Sequence, residues 1–440
     1  MFDHRNGFEV VHLIGIGGIG MSALAHFLLD RGAHVTGSDI KGSGIIDRLI
    51  RRGAKISIGH DPSHIGRAKV VVYSTATLSD NVEMYAALHG GCVLLHRSEL
   101  LELISHDSML VGITGAHGKT TTSCLIAHLW ANLDPSYILG GECPNFPAHG
   151  HCGTGPFFVA EIDESDGSFA NTGPSHLVIN SLDIDHIEFW INKERLIESY
   201  HALARRTQGF VLLYLEEGEK APFSHSNLFT YGFHPEADFV VQSRAHALTL
   251  TLRGKELGTF HTPLFGRHNI QNAAAALSLH FLVMGRAADP DALSSFRGVL
   301  RRMEQIGSSH VFTDYAHHPK EIAPAAATFL DRFPDAVFVF EPHRASRLNV
   351  LLDDFIVILK KVPRVVVTTP YLMRGEAFPR AALETLCQKT GAVYIPKEEL
   401  ADYLRRIGDF PVLFLGAGDA KNLAYEYDQT IRVDDRPSLS

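Results

Sequence analysis

An apolar run, Met109–Ile113, passes without a break into Thr114-Gly115-Ala116-His117-Gly118-Lys119-Thr120, and a helical pattern follows. A glycine loop between a strand and a helix aims backbone N–H groups and the positive helix end at one spot, which suits a phosphate. Lys119 can then reach the β and γ oxygens, and Thr120 offers a hydroxyl to Mg²⁺. The strict G-x-x-x-x-G-K-[ST] spacing is missed, because Ile113 stands where its first glycine belongs. Gly-Lys-Thr is a common triplet by chance, but at a strand-to-helix junction phosphate binding is the stronger reading. Such a junction also implies parallel strands joined by helices, the architecture of α/β domains.

A second glycine loop, Gly15-Ile16-Gly17-Gly18-Ile19-Gly20, lies between the strand-like Val10–Ile14 and a helical pattern over Met21–Arg31. Asp39 follows the next strand, His34–Gly37, where an acidic residue can hold a ribose hydroxyl. Alone, this pair reads as dinucleotide binding, and the loop does not say which diphosphate it holds. Val10–Leu29 has no Asp, Glu, Lys or Arg and is long enough for a membrane span. Its four glycines fit a buried strand, a tight turn and a helix better. Met1–Glu9 is polar and mixed in charge, unlike a secretory leader, so a cytoplasmic location is expected.

A chain of 440 residues suggests about three domains. A net charge of -9 argues against nucleic acid as a partner, since that binding needs Lys and Arg on phosphate. The five cysteines are odd in number and lack framework spacing, which suits reduced thiols. Cys143 and Cys152 flank His149 and His151, but the spacing matches no tetrahedral metal pattern.

Short apolar runs alternate with helical patterns along the whole chain, which predicts an α/β protein of three domains. These are an N-terminal Rossmann-like domain over 1–107, a central P-loop ATPase-like domain with a mixed sheet over 108–297, and a C-terminal Rossmann-like domain over 298–440. Val70–Tyr73 and Val93–Leu95 add strands to the first. Phe157–Ala160 and His176–Ile179 add strands to the second, with Val211–Tyr214 and Ala247–Leu252 expected as antiparallel additions and a helix starting near Asn269. The third has strands at His310–Thr313, Ala336–Phe340, Arg364–Thr368 and Val412–Leu415. Its helix around Ala325–Leu330 places Pro324 in the first turn, where a missing N–H costs nothing.

Two acidic segments trail strands of the central domain, Glu161-Ile162-Asp163-Glu164-Ser165-Asp166 and Asp183-Ile184-Asp185-His186. At the carboxyl ends of parallel strands, such carboxylates can hold Mg²⁺; the plainer reading is a solvated loop. Farther on, Asp314-Tyr315-Ala316-His317-His318-Pro319 and His343-Arg344-Ala345-Ser346-Arg347 also trail strands. Two arginines three apart suit a phosphate or carboxylate, against an ordinary surface face.

Taken together and in order, these segments resemble the Mur ligases. The matching stretches are His12–Met21, Thr114–Thr122, Ala160–Phe169, Asp183–His186, Gly266–Asn272, Gly298–Arg302, Asp314–Pro319, Phe340–Arg347, Gly375–Glu376 and Gly416–Asp419. The likeness is nearest to the branch that joins L-alanine to UDP-N-acetylmuramate in peptidoglycan precursor synthesis, using ATP and Mg²⁺. It implies that Gly15, Gly17, Gly18 and Gly20, with Ser38 and Asp39, hold the sugar nucleotide. Gly115, His117, Gly118, Lys119, Thr120 and Thr121 would hold the ATP phosphates, with Thr120 and Glu161 on one Mg²⁺ and His186 on a second. His268, Asn269 and Asn272 match an H-N-x-x-N segment near adenine, and Arg302 matches an arginine that contacts ATP. Tyr315, His317, Arg344 and Arg347 match positions around the alanine and the transferring phosphate, with His317 the candidate base.

The resemblance also has departures. Ala116 replaces a usual Thr or Asn, Ser181 stands where Asn is usual with Asn180 one place away, and Glu341 replaces Gln. The Gly140–Gly155 and Gly209–Gly232 stretches are altered. The family expectation is a monomer or homodimer with no membrane partner. A dehydrogenase would use the first loop and Asp39 but leave Lys119, Glu161 and His186 idle. A relative that attaches a peptide to the same nucleotide, and a nucleotide-binding protein without catalysis, are the other readings.

Overall fold

The computed structural model describes residues 8–164, 167, 172–183, 190, 192–244, 247–264, 266–307, 310–373 and 375–434. His186 and Asp185 therefore lie outside the described residues. The chain forms two compact units. One runs to Leu264 and resumes over Asn269–Arg297; the other holds His268 and the chain from Gly298 onward.

The first unit contains two sheets. Five parallel strands, β1 (Val10–Ile14), β2 (His34–Asp39), β3 (Lys55–Ile58), β4 (Val70–Tyr73) and β5 (Val93–His96), lie in the order β3-β2-β1-β4-β5. The order reverses between β1 and β4, which opens a crevice at their carboxyl ends. The uncharged Val10–Leu29 resolves into β1, the glycine turn and the helix Ile19–Asp30, which is buried from Met21 to Leu28. Among the described residues, no helix is long and apolar enough to cross a membrane.

The second sheet has ten strands. They are β6 (Met109–Thr114), β7 (Ser136–Ile138), β8 (Gly150–His151), β9 (Phe157–Glu161), β10 (His176–Ile179), β11 (Val211–Tyr214), β12 (Leu228–Gly232), β13 (Phe239–Arg244), β14 (Ala247–Leu252) and β15 (Lys255–His261). Their order is β15-β14-β13-β12-β11-β10-β6-β9-β7-β8. The antiparallel expectation for Val211–Tyr214 is wrong: β11 runs parallel to β10 and β12. The helix Lys193–Arg206 carries the chain back across the sheet before β11, and such a crossover returns the strand in the same direction. The antiparallel pairing expected of Ala247–Leu252 is present, with β13 on one side and β15 on the other.

One apolar cluster joins the two sheets, running from Val11 and Leu24 to Phe27, Leu110 and Phe158. The Phe27 and Phe158 rings lie 5.3 Å apart. Polar contacts seal the same seam. Ser22 Oγ and His149 Nε2 are 2.8 Å apart, and His151 bridges Asp30 and Asp134. Burial is the main cause that lowers His149 to about 3 and His26 to about 4, so both seam histidines are neutral. The approach is closest at Gly150, where an added Cβ would fall on the backbone carbonyl of Ala23.

The second unit carries β16 (Glu304–Ile306), β17 (Val311–Asp314), β18 (Val337–Phe340), β19 (Val365–Val367), β20 (Val393–Tyr394) and β21 (Val412–Leu415). The order is β16-β17-β21-β18-β19-β20, and every pair is parallel except β16 with β17. Pro324 is not in a first turn, because the helix spans Pro319–Arg332. His318 and Glu321 form a capping box there, and Pro319 takes the first-turn place. Pro324 leaves unmade only the bond to the carbonyl of Lys320, an exposed residue that water can reach.

The seam makes a mutational prediction. Gly150→Ala should destabilise the first unit by roughly 1–3 kcal/mol, because backbone must move to admit the methyl. Gly173→Ala, with nothing near its Cβ position, should stay within about 0.5 kcal/mol. Denaturant unfolding of both variants checks this, and equal stability would contradict the rigid seam.

Candidate functional site

The Thr114–Thr120 loop sits where β6 ends and the helix Lys119–Leu129 begins. Gly115 has φ 115°, and a Cβ there would stand 2.7 Å from the Ser181 backbone nitrogen. Gly118 has φ 77°, and its Cβ would collide with Asn272 Oδ1. Neither position tolerates a side chain. Asn272 comes from the helix Arg267–Met284 and accepts from Thr122 Oγ1 at 3.3 Å. Asn180 binds this layer together: it donates to Thr122 Oγ1 at 2.9 Å and accepts from Tyr231 at 3.0 Å. Gln271 donates to its carbonyl at 2.9 Å. Asn269, Thr121 and Ala116 are buried in the same region.

Lys119 Nζ donates to the Gly115 carbonyl at 2.9 Å and to the two Glu164 oxygens at 2.9 and 3.1 Å. Burial works against its charge, but the carboxylates of Glu164, Asp163 and Glu161 outweigh burial and raise its pKa. Thr120 Oγ1 donates to Glu161 Oε2 at 2.8 Å. Burial pushes the Glu161 carboxyl above its usual range, although Lys119 and Thr120 pull the other way. A hydroxyl and a carboxylate oxygen side by side are the hard donors that Mg²⁺ takes, so this pair fits the ion. Gly140 lies against Glu161, leaving no room for a side chain. His117 Nε2 faces Asp183 at 3.6 Å. Among the described residues there is no cluster of three or more metal-ligating side chains, and His186 lies outside them.

At the first loop, the Gly15 and Ile16 N–H groups both donate to the Ser38 carbonyl, at 2.8 and 3.0 Å. Gly18 caps the helix on which Gly20 is the second residue. The Asp39 carboxylate accepts the Gly17 N–H at 2.9 Å, so it is engaged in shaping the loop. Ser38 donates its hydroxyl to Glu83, a residue to which sequence reasoning gave no role. His12, His60 and His64 also face Glu83, at 3.5, 3.2 and 3.0 Å. Burial alone would raise this carboxyl, but bonds from His12 and Ser38 hold it down to about 2.

The second unit gathers its own set. Asp314 ends β17 and accepts the N–H groups of Met303 and Ala316, both at 2.8 Å, which fixes the turn bearing Tyr315 and His317. The guanidinium carbons of Arg301 and Arg302 lie 4.6 and 5.4 Å from the centre of the Tyr315 ring. His268 Nδ1 is 3.4 Å from Thr328 Oγ1 in this unit. His317 Nδ1 meets the Tyr315 carbonyl at 2.9 Å. A carbonyl only accepts, so Nδ1 carries the proton and Nε2 is the basic nitrogen. Burial, with Arg347 and Arg302 nearby, lowers the His317 pKa despite Glu321, which favours this neutral form.

His343 stands 5.4 Å from His317 and stacks on Tyr371. Arg344 follows with φ 72°, a strained backbone for a bulky residue. The turn is held by Arg344 N–H on the Tyr371 carbonyl and by Glu376, which accepts from Ala345 and Ser346. Arg347 Nη1 is buried and has no hydrogen-bond partner among the described residues. Glu341 accepts the N–H groups of Gly418, Asp419 and Ala420 at the start of the last helix. Sequence reasoning also passed over Arg97, whose signal is tertiary.

Residues 10–108 match the Mur ligase family, catalytic domain, and residues 113–280 match the Mur ligase middle domain. The UDP-N-acetylmuramate–L-alanine ligase of Aquifex aeolicus is 35% identical, over 98% of this chain and 99% of its own. That of Gloeobacter violaceus is 36% identical over 95% of each. The crystal structure of the UDP-N-acetylmuramate–alanine ligase of Thermotoga maritima superposes with a TM-score of 0.83 at 26% identity, covering 97% of this chain and 99% of that one. With full-length relatives above 30% identity and two of the family's domains matched along the chain, this chain belongs to the Mur ligase family.

Proposed function

We propose that this chain is a cytoplasmic ATP-dependent ligase that joins L-alanine to the carboxylate of UDP-N-acetylmuramate, giving ADP and phosphate. The observation that carries this reading is Lys119 and Thr120 set against Glu161 and Glu164 where β6 and β9 end. Support for the two substrates comes from the full-length likeness to alanine ligases. The labour divides by domain: 1–107 for the sugar nucleotide, 108–297 for ATP, and 298–440 for the amino acid.

A carboxylate acylates poorly, so it must first be made an acyl phosphate. One carboxylate oxygen attacks the γ-phosphorus and the bond to ADP breaks. Two anions meet in that step, and Lys119 offsets their repulsion from the floor of the loop. Thr120 and Glu161 would hold one Mg²⁺, with His186 for a second, and the ion would supply further neutralisation of the phosphate oxygens. Gly115, His117, Gly118 and Thr121 surround the phosphates, and His268, Asn269, Asn272 and Arg302 serve the rest of the nucleotide. Gly15, Gly17, Gly18 and Gly20, on the frame of Ser38 and Asp39, take the UDP diphosphate.

The neutral alanine amine then attacks the acyl carbonyl, and phosphate leaves. His317 Nε2 is the group suited to take the amine proton, being unprotonated in the tautomer its neighbours fix. Arg344 and Arg347 receive the alanine carboxylate or the departing phosphate, beside Tyr315.

Lys119→Ala should lower turnover by roughly 10²-fold or more, while UDP affinity stays near normal. Phosphate release with both substrates present, alongside calorimetry with UDP, measures this; near-normal turnover would remove Lys119 from the reaction.

Arg344→Ala and Arg347→Ala should each weaken the apparent affinity for alanine by on the order of tenfold, because a charge-assisted bond is lost. Affinity for the sugar nucleotide should change little. Steady-state kinetics with each substrate varied in turn decides. Unchanged alanine dependence in both variants would move the amino-acid site elsewhere.

A further inference from the structure

Arg97 is the first residue of the helix Arg97–Ser105, which leaves the carboxyl end of β5 behind the His96 cap. It belongs to no motif, yet its guanidinium reaches the end of the second sheet. Nη2 donates to Asp163 Oδ2 at 2.8 Å, two residues past Glu161. Nη1 lies 3.6 Å from where a Cβ on Gly20 would stand, beside the first glycine loop. One side chain thus spans the two loops that serve the two phosphate-bearing ligands.

Arg97 lines a cavity shared with Gly20, Gly140, Glu161, Asp163 and Thr172. Among the described residues lining it, Arg97 is the one cation, against Glu161 and Asp163. Lys119 is engaged with Glu164 and the loop carbonyl of Gly115. An anionic group entering this cavity from the first loop, on its way to the γ-phosphate, meets two acids and a single guanidinium. Asp163 already shows that a carboxylate fits that guanidinium.

We infer that Arg97 is the residue that recognises the carboxylate of the sugar-nucleotide substrate and aligns it toward the γ-phosphate, exchanging Asp163 for the substrate. The inference rests on the ligase reading above. The exchange replaces one charge-assisted pair by another, and a guanidinium can hold both oxygens of a carboxylate in its plane. It orients the attacking oxygen and takes no proton itself. It also gives the site a reason to reject a neutral analogue, since an amide there would leave Arg97 and Asp163 paired with each other.

Titration calorimetry of the full chain with UDP-N-acetylmuramate, its neutral carboxamide analogue and UDP tests this. Wild type should prefer the carboxylate over the carboxamide. Arg97→Ala should lose about 10- to 100-fold on the carboxylate, the scale of one or two charge-assisted bonds. It should change little on the carboxamide or on UDP, and Arg97→Lys should recover part of the loss. Asp163→Asn, which removes the competing carboxylate, should tighten carboxylate binding. Full discrimination between carboxylate and carboxamide in Arg97→Ala would overturn the inference. If that variant does not fold, Asp163→Asn decides: UDP affinity retained with carboxylate affinity unchanged or weaker also overturns it. A wild-type chain that binds none of the three ligands would overturn the ligase reading itself.

Discussion

Lys119 stands among three carboxylates, Glu161, Asp163 and Glu164, at the ends of two neighbouring parallel strands, and the rest of the site is arranged around that balance. The Lys119 ammonium persists because those acids outweigh its desolvation; desolvation pushes Glu161 toward its neutral form, against the pull of Lys119 and Thr120. The cluster is therefore short of positive charge even before a triphosphate arrives. That deficit is what a divalent cation would fill, and it is why the thinly spread cations, Lys119 and Arg97, matter individually.

The scaffold explains why the charges can be held so closely. β6 and β9 are adjacent and parallel, so Thr114 and Glu161 finish side by side and their loops face one cleft. Beneath them, Asn180, Thr122, Gln271 and Asn272 form a hydrogen-bonded layer, and Asn180 and Asn272 stand where side chains on Gly115 and Gly118 would have to go. The seam at Phe27, His149 and Gly150 fixes the first sheet to the second, so Arg97 on one can reach Asp163 on the other. In the second unit the turn after β17 performs a parallel task, presenting His317 in one tautomer next to strained Arg344.

Much of this was legible in the amino-acid order because its causes are local. A glycine loop after an apolar run reports its own backbone needs, and Lys119 and Thr120 follow at a spacing set by the helix. The direction of β11 was misjudged because the crossover helix Lys193–Arg206 went unweighed. Pro324 was misplaced because His318 is an unusual cap, outside the Ser, Thr, Asp and Asn that mark helix starts. Arg97, Glu83 and Asn180 act on residues 66, 45 and 58 positions away, and no short motif encodes such distances. Ala116 and Glu341, departures from the family pattern, are accommodated: one is buried in the loop, and the other accepts three backbone N–H groups.

The central claim is that a substrate carboxylate is activated by phosphoryl transfer before alanine attacks. Oxygen bookkeeping tests it directly. UDP-N-acetylmuramate carrying ¹⁸O in both carboxylate oxygens should, on turnover with ATP and L-alanine, pass one labelled oxygen to each inorganic phosphate released, with the other kept in the new amide. Mass spectrometry of the phosphate reads the outcome. Phosphate that carries no label, while amide forms at the normal rate, would contradict the account.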